Sequence, residues 1–490
     1  MDIRDLHCVV IGAGIGGLSA AAMLARKGMQ VTVLEAQRNP GGCAATFSSG
    51  PYRFDAGATL GCGFHPGGPM DRLGQELDIR WPVQSEPVAW QYRHLELKLD
   101  LASSRENIIA RFPRSVPFWN EQVRIARTLW RLSAGGLPWP ATGLGDFARL
   151  AGKALERLPG SLRLLGFVSK TAHDWLAAHG LDSDPDFVRF IDAQLMISVQ
   201  TTSRYANALS AAIALDLPVS GSWRVQGGIG RIAGLLAESV ERDGGAVLYS
   251  KKVNRIDSIQ REVLGVETTD GDALAADLLI ANLTPDSFSI LDGRPPASEG
   301  AIKPIQWSAF MLYLGMDTAV FDRAGVDHLQ ITAARGELGE GRSIFVSASP
   351  ADDPSRAPEG QRAVTISTHT RPDLWFTTLS QGSASYEEMK ERYRHEVLGL
   401  LSEQIPEAAA AVRSVTAATP ITWELRTGRH RGYVGGYAQT SLFGVRGPST
   451  AYSNLFLAGD SIFPGQSLPG VVTGARRSVE LVLRRYGKNR

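Results

Sequence analysis

Short, continuous apolar runs separated by glycine-rich turns and amphipathic stretches dominate the chain. Residues 7–11 (HCVVI) have the length and β-branching of a strand buried on both faces. They run into the turn 12–17 (GAGIGG), after which 18–27 carry small and apolar residues at helical spacing, and Gly28 ends that helix. Residues 30–34 are a second β-branched run closing on Glu35, so the first 35 residues predict a βαβ unit. Later, 226–230 (QGGIG) precede an amphipathic helix over 231–243, a Gly-Gly turn and a short strand ending near Val253. Residues 277–282 (DLLIAN) and 454–459 (NLFLAG) read as further buried strands, the second followed by a loop and a helical run through Gly474, Ala475 and Arg476. Residues 307–315 are a long strand candidate with partners at 343–349 and 363–368. No stretch reaches about 18 consecutive apolar residues, so no membrane-spanning helix is expected.

The glycines of the first turn carry chemistry as well as shape. In a βαβ unit Gly12 permits the tight turn, Gly14 lets the backbone approach a pyrophosphate, and Gly17 lets helix pack on strand, with Gly16 in the same turn. The helix N-terminus then faces the phosphates with unpaired N–H groups. Glu35 lies 18 residues past Gly17, where an acid accepts hydrogen bonds from ribose hydroxyls, with Ala36 beside it. The unit is expected to bind an adenine dinucleotide; these residues alone leave NAD and FAD both open.

The following block resembles a known family. Arg38-Asn39-Pro40-Gly41-Gly42-Cys43-Ala44-Ala45-Thr46-Phe47, then Phe54-Asp55-Ala56-Gly57-Ala58-Thr59, Gly63 and Pro66-Gly67-Gly68, is similar to the flavin-dependent amine-oxidase and phytoene-desaturase superfamily, on its carotenoid desaturase and isomerase branch. Many members carry a basic residue after the Gly-Gly pair; Cys43 stands there instead, which removes one phosphate contact. Gly459-Asp460-Ser461 through Pro464-Gly465 and Thr427-Gly428-Arg429 through Gly436 resemble the same branch, closest to its 3,4-desaturase subgroup. The resemblance implies a two-domain α/β FAD flavoprotein, with a Rossmann-like dinucleotide-binding domain and an interleaved mixed-sheet substrate domain. It implies cofactor contacts at Gly41, Gly42, Val253, Gly459, Asp460, Pro469, Gly470 and Val471, with the helix at 469–471 pointing its positive end at the flavin. The expected division is 1–80, 221–290 and 441–490 for FAD, and 81–220 and 291–440 for substrate.

The implied reaction is desaturation of an acyclic or hydroxylated carotenoid, with oxygen or a quinone as electron acceptor. Cis–trans isomerisation or saturation uses the same motifs. A flavin amine oxidase and a non-redox prenyl-binding escort protein are the remaining alternatives. No acid–base constellation singles out a catalytic side chain. Gly143-Leu144-Gly145 has no strand before it and reads as a loop, so no separate NADPH domain is expected. Residues 352–360 (DDPSRAPEG) read as turn chemistry. Glu424, Arg426, Arg429 and His430 either line the cavity near the flavin or pair with one another.

Charge refines this picture. With 51 Lys plus Arg against 50 Asp plus Glu the net charge is +1, which argues against nucleic-acid binding, since that needs a strong positive field. The average hides residues 111–170, where ten basic residues face three acids among Phe112, Phe118, Trp119, Trp130, Trp139, Phe147 and Phe167. Basic helices with interleaved aromatics read either as a peripheral membrane anchor or as a helical cap that buries its aromatics, and both hold if opposite faces differ. Cys8, Cys43 and Cys62 have neither disulfide nor zinc spacing, so no metal is expected and a cytoplasmic protein, peripherally attached to a membrane, is the expectation. Asp2 and Asp5 spoil the signal-peptide likeness of the N-terminus.

Overall fold

The computed structural model describes residues 2–134, 138–141, 143–156, 160–296 and 307–487. The β-branched run His7–Ile11 is the central strand of a five-stranded parallel sheet, flanked by Gln30–Leu34 on one side and Leu278–Ala281 on the other. Leu455–Leu457 closes one edge and Ala246–Leu248 the other. Helices cover one face: Ile15–Arg26, with Leu18, Leu24 and the alanines between them buried, packs beside Gly230–Arg242 and Leu468–Tyr486. A three-stranded antiparallel sheet, Val253–Ile259, Glu262–Thr268 and Ala273–Ala275, joins the apolar layer on the other face. This is the layering that a parallel sheet needs, because both of its faces must be buried.

Seven strands form a second, mixed sheet. Its order is Val412–Ala418, Ser308–Asp317, Gln361–Thr370, Ser343–Ala348, His328–Thr332, Val88–His94, Leu97–Ala102. All neighbours run antiparallel except His328–Thr332 and Val88–His94. The fold is thus the α/β arrangement expected of a two-domain flavoprotein, and the chain crosses between its sheets several times. A helical layer that includes Val116–Ala134, Pro185–Ser198 and Ala208–Ala214 packs a separate core around Trp175, Phe187 and Phe190.

Three local expectations change. The first helix starts at Ile15 rather than residue 18, because Gly16 and Gly17 are absorbed into its first turn. Gly143-Leu144-Gly145 is not a loop: a helix runs Leu144–Glu156, beginning inside the triplet. Val253 opens a strand of the antiparallel sheet instead of ending one, since the strand after the Gly-Gly turn stops at Leu248.

In the basic segment, Phe112, Phe118 and Trp119 are buried, Trp130 donates from Nε1 to Asp216 Oδ2 (2.9 Å) and Trp139 from Nε1 to Leu442 O (3.2 Å). Arg124, Arg127, Arg131, Arg163 and Lys170 are exposed, as are Phe147 (57%) and Leu165 (67%). Aromatics therefore mostly face inward and cations outward; residues 135–137, 142 and 157–159 of the segment lie outside the described residues. Among the described residues no helix is long and apolar enough to cross a membrane.

Candidate cofactor site

The first strand delivers the chain to Gly12 at φ +91°, a conformation that favours glycine. The turn beyond it leaves no room for side chains. A Cβ at Gly17 would lie 2.2 Å from Gly12 O, one at Gly14 would lie 2.7 Å from Asn282 Nδ2, and one at Gly16 would lie 2.7 Å from Gly459 N. The second glycine pair folds onto the same place, since Gly41 bridges Gly14 and its N–H donates to Ala13 O (2.8 Å). Gly42, at φ +57°, has Gly14 Cα as the nearest atom to its own Cβ position, at 3.8 Å. The first bond inside the helix runs from Leu18 N to Gly14 O (3.0 Å), so the N–H groups of Ile15, Gly16 and Gly17 have no acceptor within it. Bare backbone, donors and the positive end of a twelve-residue helix converge where a diphosphate fits.

Glu35, at the carboxyl end of the second strand, is buried. Its Oε2 accepts from Ala13 N (2.7 Å) and its Oε1 from Gln37 N (2.8 Å), which fixes the carboxylate and leaves each oxygen acceptor capacity for a hydroxyl. Burial pushes its carboxyl pKa up, partly offset by the backbone N–H groups of Gln37, Ala13 and Ala36. Ala36 is exposed and takes part through its backbone. Lys251 N donates to Glu35 O (2.8 Å) and Ser250 N to Gln37 O (3.0 Å), which ties the segment leading to Val253 alongside Glu35.

A residue that sequence reasoning did not single out holds the other side together. Asn282, one residue past the strand Leu278–Ala281, donates from Nδ2 to Gly12 O (3.3 Å). Its Oδ1 lies 2.6 Å from where a Cβ of Gly459 would stand, so Gly459, at φ +104°, must be glycine. The signal was present in the polar end of DLLIAN, at the carboxyl edge of the sheet where ligands bind. Asp460 follows, and its Oδ2 pairs with Arg429 Nη2 at 2.9 Å. Burial alone would lower the Arg429 pKa; the Asp460 carboxylate outweighs it, so the guanidinium is held charged. The Cys43 thiol is pushed up by burial and only partly drawn back by Arg429, so it is neutral at ordinary pH.

Of the group at 424–430, Arg429 alone is drawn to Asp460. His430 Nδ1 lies 3.8 Å from Glu424 Oε1, which also accepts from Arg431 N (2.8 Å), and Arg426 is exposed. At the helix Leu468–Tyr486 the first-turn donors are occupied: Gly470 N donates to Ser467 Oγ (3.3 Å), Val471 N to Ser467 O (2.9 Å), and Pro469 has no N–H. This end therefore offers its dipole rather than free donors at Pro469, Gly470 and Val471.

The segment 352–360 does structural work. Arg356 Nη2 pairs with Asp55 Oδ2 (3.0 Å), with side chains only 4% and 8% exposed, while Gly227 N donates to Asp353 Oδ2 (2.6 Å). Asp55 Oδ1 accepts from Ile229 N (2.9 Å) and from Thr46 Oγ1 (2.7 Å), and Thr46 Oγ1 accepts from Gly230 N (2.9 Å). The 46–55 hairpin, the QGGIG turn and the second sheet are thereby fastened together.

Glycines that a Cβ would fill, helix donors aimed at their centre and a fixed buried acid beside them fit FAD. The family model for flavin-containing amine oxidoreductases matches residues 15–483. Prolycopene isomerase 2 of an Oncidium hybrid cultivar, a chloroplastic protein, is 30% identical over 497 residues, covering 96% of this chain and 82% of the relative. A phytoene dehydrogenase of Streptomyces griseus is 26% identical, covering 97% and 95%. Among solved structures, an oxidoreductase from Methanosarcina mazei superposes with a TM-score of 0.62 at 18% identity, covering 98% of this chain and 100% of the other. The chain belongs to the flavin-containing amine oxidoreductases, within their carotenoid desaturase and isomerase branch, and is an oxidoreductase whose cofactor is FAD.

Proposed function

We propose that the protein is a carotenoid desaturase that adds a conjugated double bond to an acyclic or hydroxylated carotenoid, at the 3,4 position. FAD, when bound, supplies the hydride acceptor. The backbone of Gly12, Gly14, Gly16, Gly17, Gly41, Gly42 and Gly459 would hold its diphosphate, Glu35 with Ala36 its ribose, Val253 its adenine, and Asp460 with Pro469, Gly470 and Val471 its ribityl and ring end. The chain's own part in the reaction is to orient the polyene and exclude water.

The observation that carries this reading is the likeness, along nearly the whole chain, to a phytoene dehydrogenase and a prolycopene isomerase. The electrostatics agree with an uncharged substrate: Arg429 is matched by Asp460, the Cys43 thiol is neutral, and Tyr313, packed with Phe47 and Trp423 beside Cys43, is pushed above its ordinary pKa by burial. A second reading, cis–trans isomerisation, is favoured by one observation, the higher identity to the prolycopene isomerase.

The proposed division places 1–80, 221–290 and 441–490 with FAD, and 81–220 and 291–440 with substrate; the strand membership of the two sheets supports it. Exposed cations over buried aromatics in 111–170, with Phe147 and Leu165 outward, support peripheral docking on anionic lipid from the cytoplasmic side. Oxygen or a quinone would reoxidise the cofactor. Expression in hosts making acyclic, hydroxylated and cis carotenoids, followed by pigment chromatography, tests the reading. A longer conjugated product supports desaturation, a changed isomer without added unsaturation supports the second reading, and an unchanged profile in every host overturns both.

A further inference from the structure

Beyond the helix Pro185–Ser198 and its cap Val199, Gln200 sits at φ +60°, a left-handed conformation that costs an L side chain energy. Such strain persists where surroundings over-determine it, commonly at ligand sites. Gln200 is 6% exposed. Its Nε2 donates to Gln466 Oε1 (3.1 Å) and to Met196 O (3.3 Å). Those acceptors settle which end of the amide is nitrogen, since turning it over would set oxygen against oxygen. Its Oε1 is buried and faces no donor among the described residues. A buried amide oxygen without a donor is costly, so the free protein carries an acceptor that something else should satisfy.

The location says what that is. A Cβ on Gly435 would lie 2.6 Å from both Gln200 Cδ and Gln466 Oε1, and one on Gly436 would lie 2.2 Å from Asp460 O. Gln200 and Asp460 thus flank one two-glycine turn. Gln466 is pinned by its Nε2 donating to Ile197 O (2.8 Å) and immediately precedes Ser467, the cap of the helix Leu468–Tyr486. A dinucleotide with its ribose at Glu35 and its diphosphate at Gly14 would continue past Gly459 and Asp460, toward this turn, with its ring end. The flavin ring carries one imide N–H, a donor with no acceptor offered by the capped helix end.

We propose that Gln200 Oε1 accepts the ring imide N–H of bound FAD, so that Gln200 positions the flavin ring. The inference rests on FAD as cofactor and is independent of which polyene is the substrate. It is tested on the purified full chain by titrating FAD and N3-methyl FAD into apoprotein and following flavin fluorescence. Gln200→Met, which keeps volume and removes the acceptor together with the Nε2 donor to Gln466 and Met196, is expected to bind FAD about five- to tenfold more weakly than wild type. Gln200→Ala, which also makes room for the methyl group, should bind both flavins equally, whereas wild type should prefer FAD. Unchanged FAD affinity in Gln200→Met, or a preference for FAD retained in Gln200→Ala, overturns the proposal. So does loss in Gln200→Met of affinity for a hydroxylated polyene but not for FAD, which would assign the acceptor to a substrate hydroxyl.

Discussion

Arg429 Nη2 and Asp460 Oδ2 meet at 2.9 Å next to Gly459, both side chains largely buried. Removing one member leaves a buried charge uncompensated, so Arg429→Met should destabilise the protein by about 3 kcal/mol in urea unfolding. Arg429→Met with Asp460→Asn should recover most of that loss. A double variant no more stable than the single one would show that the pair does not act as a unit.

Gly14 has an ordinary backbone conformation, so only space forbids a side chain there. Gly14→Ala places a methyl 2.7 Å from Asn282 Nδ2 and should be purified without bound flavin, as read from its visible absorption. Asn282→Ala removes the clamp on Gly12 without filling the cradle and should weaken FAD by about tenfold.

Gly228, at φ +95°, would set a Cβ 2.6 Å from Asp55 Oδ1. Gly228→Ala combines a strained backbone with displacement of the acid that holds Ile229, Thr46 and Arg356, and should cost about 3 kcal/mol in the same unfolding assay.

His328 lies buried in the second sheet, and burial lowers its pKa from 6.5 to about 4. Between those values the unfolded chain binds a proton that the folded chain refuses. Stability should therefore fall as pH drops through this window, by up to about 1.4 kcal/mol per pH unit from this group, and its contribution is constant above it. His328→Gln should flatten that part of the profile when unfolding free energies are measured from pH 7 to pH 4.

Much of this was legible in the chain because parallel strands announce themselves. HCVVI, QVTVL and DLLIAN are continuous apolar runs, and their boundaries match the sheet within a residue or two. The glycine turns were equally plain, since their requirement is local. The pairing of Arg429 with Asp460 joins positions 31 residues apart, and Gln200 meets Gln466 from the opposite half of the chain. No periodicity encodes such contacts. The triplet 143–145 misled for a related reason: its glycines looked like a loop, yet Leu144 starts a helix whose Asp146 is held by Arg477 (2.8 Å), a tertiary contact that outweighs propensity.

The central claim, redox chemistry on a polyene carried by FAD, is tested most directly by anaerobic single turnover. Purified holoprotein is mixed with an acyclic carotenoid in liposomes while flavin absorbance and pigment composition are followed together. The account predicts bleaching of the flavin in step with a product two hydrogens lighter. An unchanged pigment beside a flavin that keeps the oxidation state in which it was supplied, oxidised or pre-reduced, would contradict it.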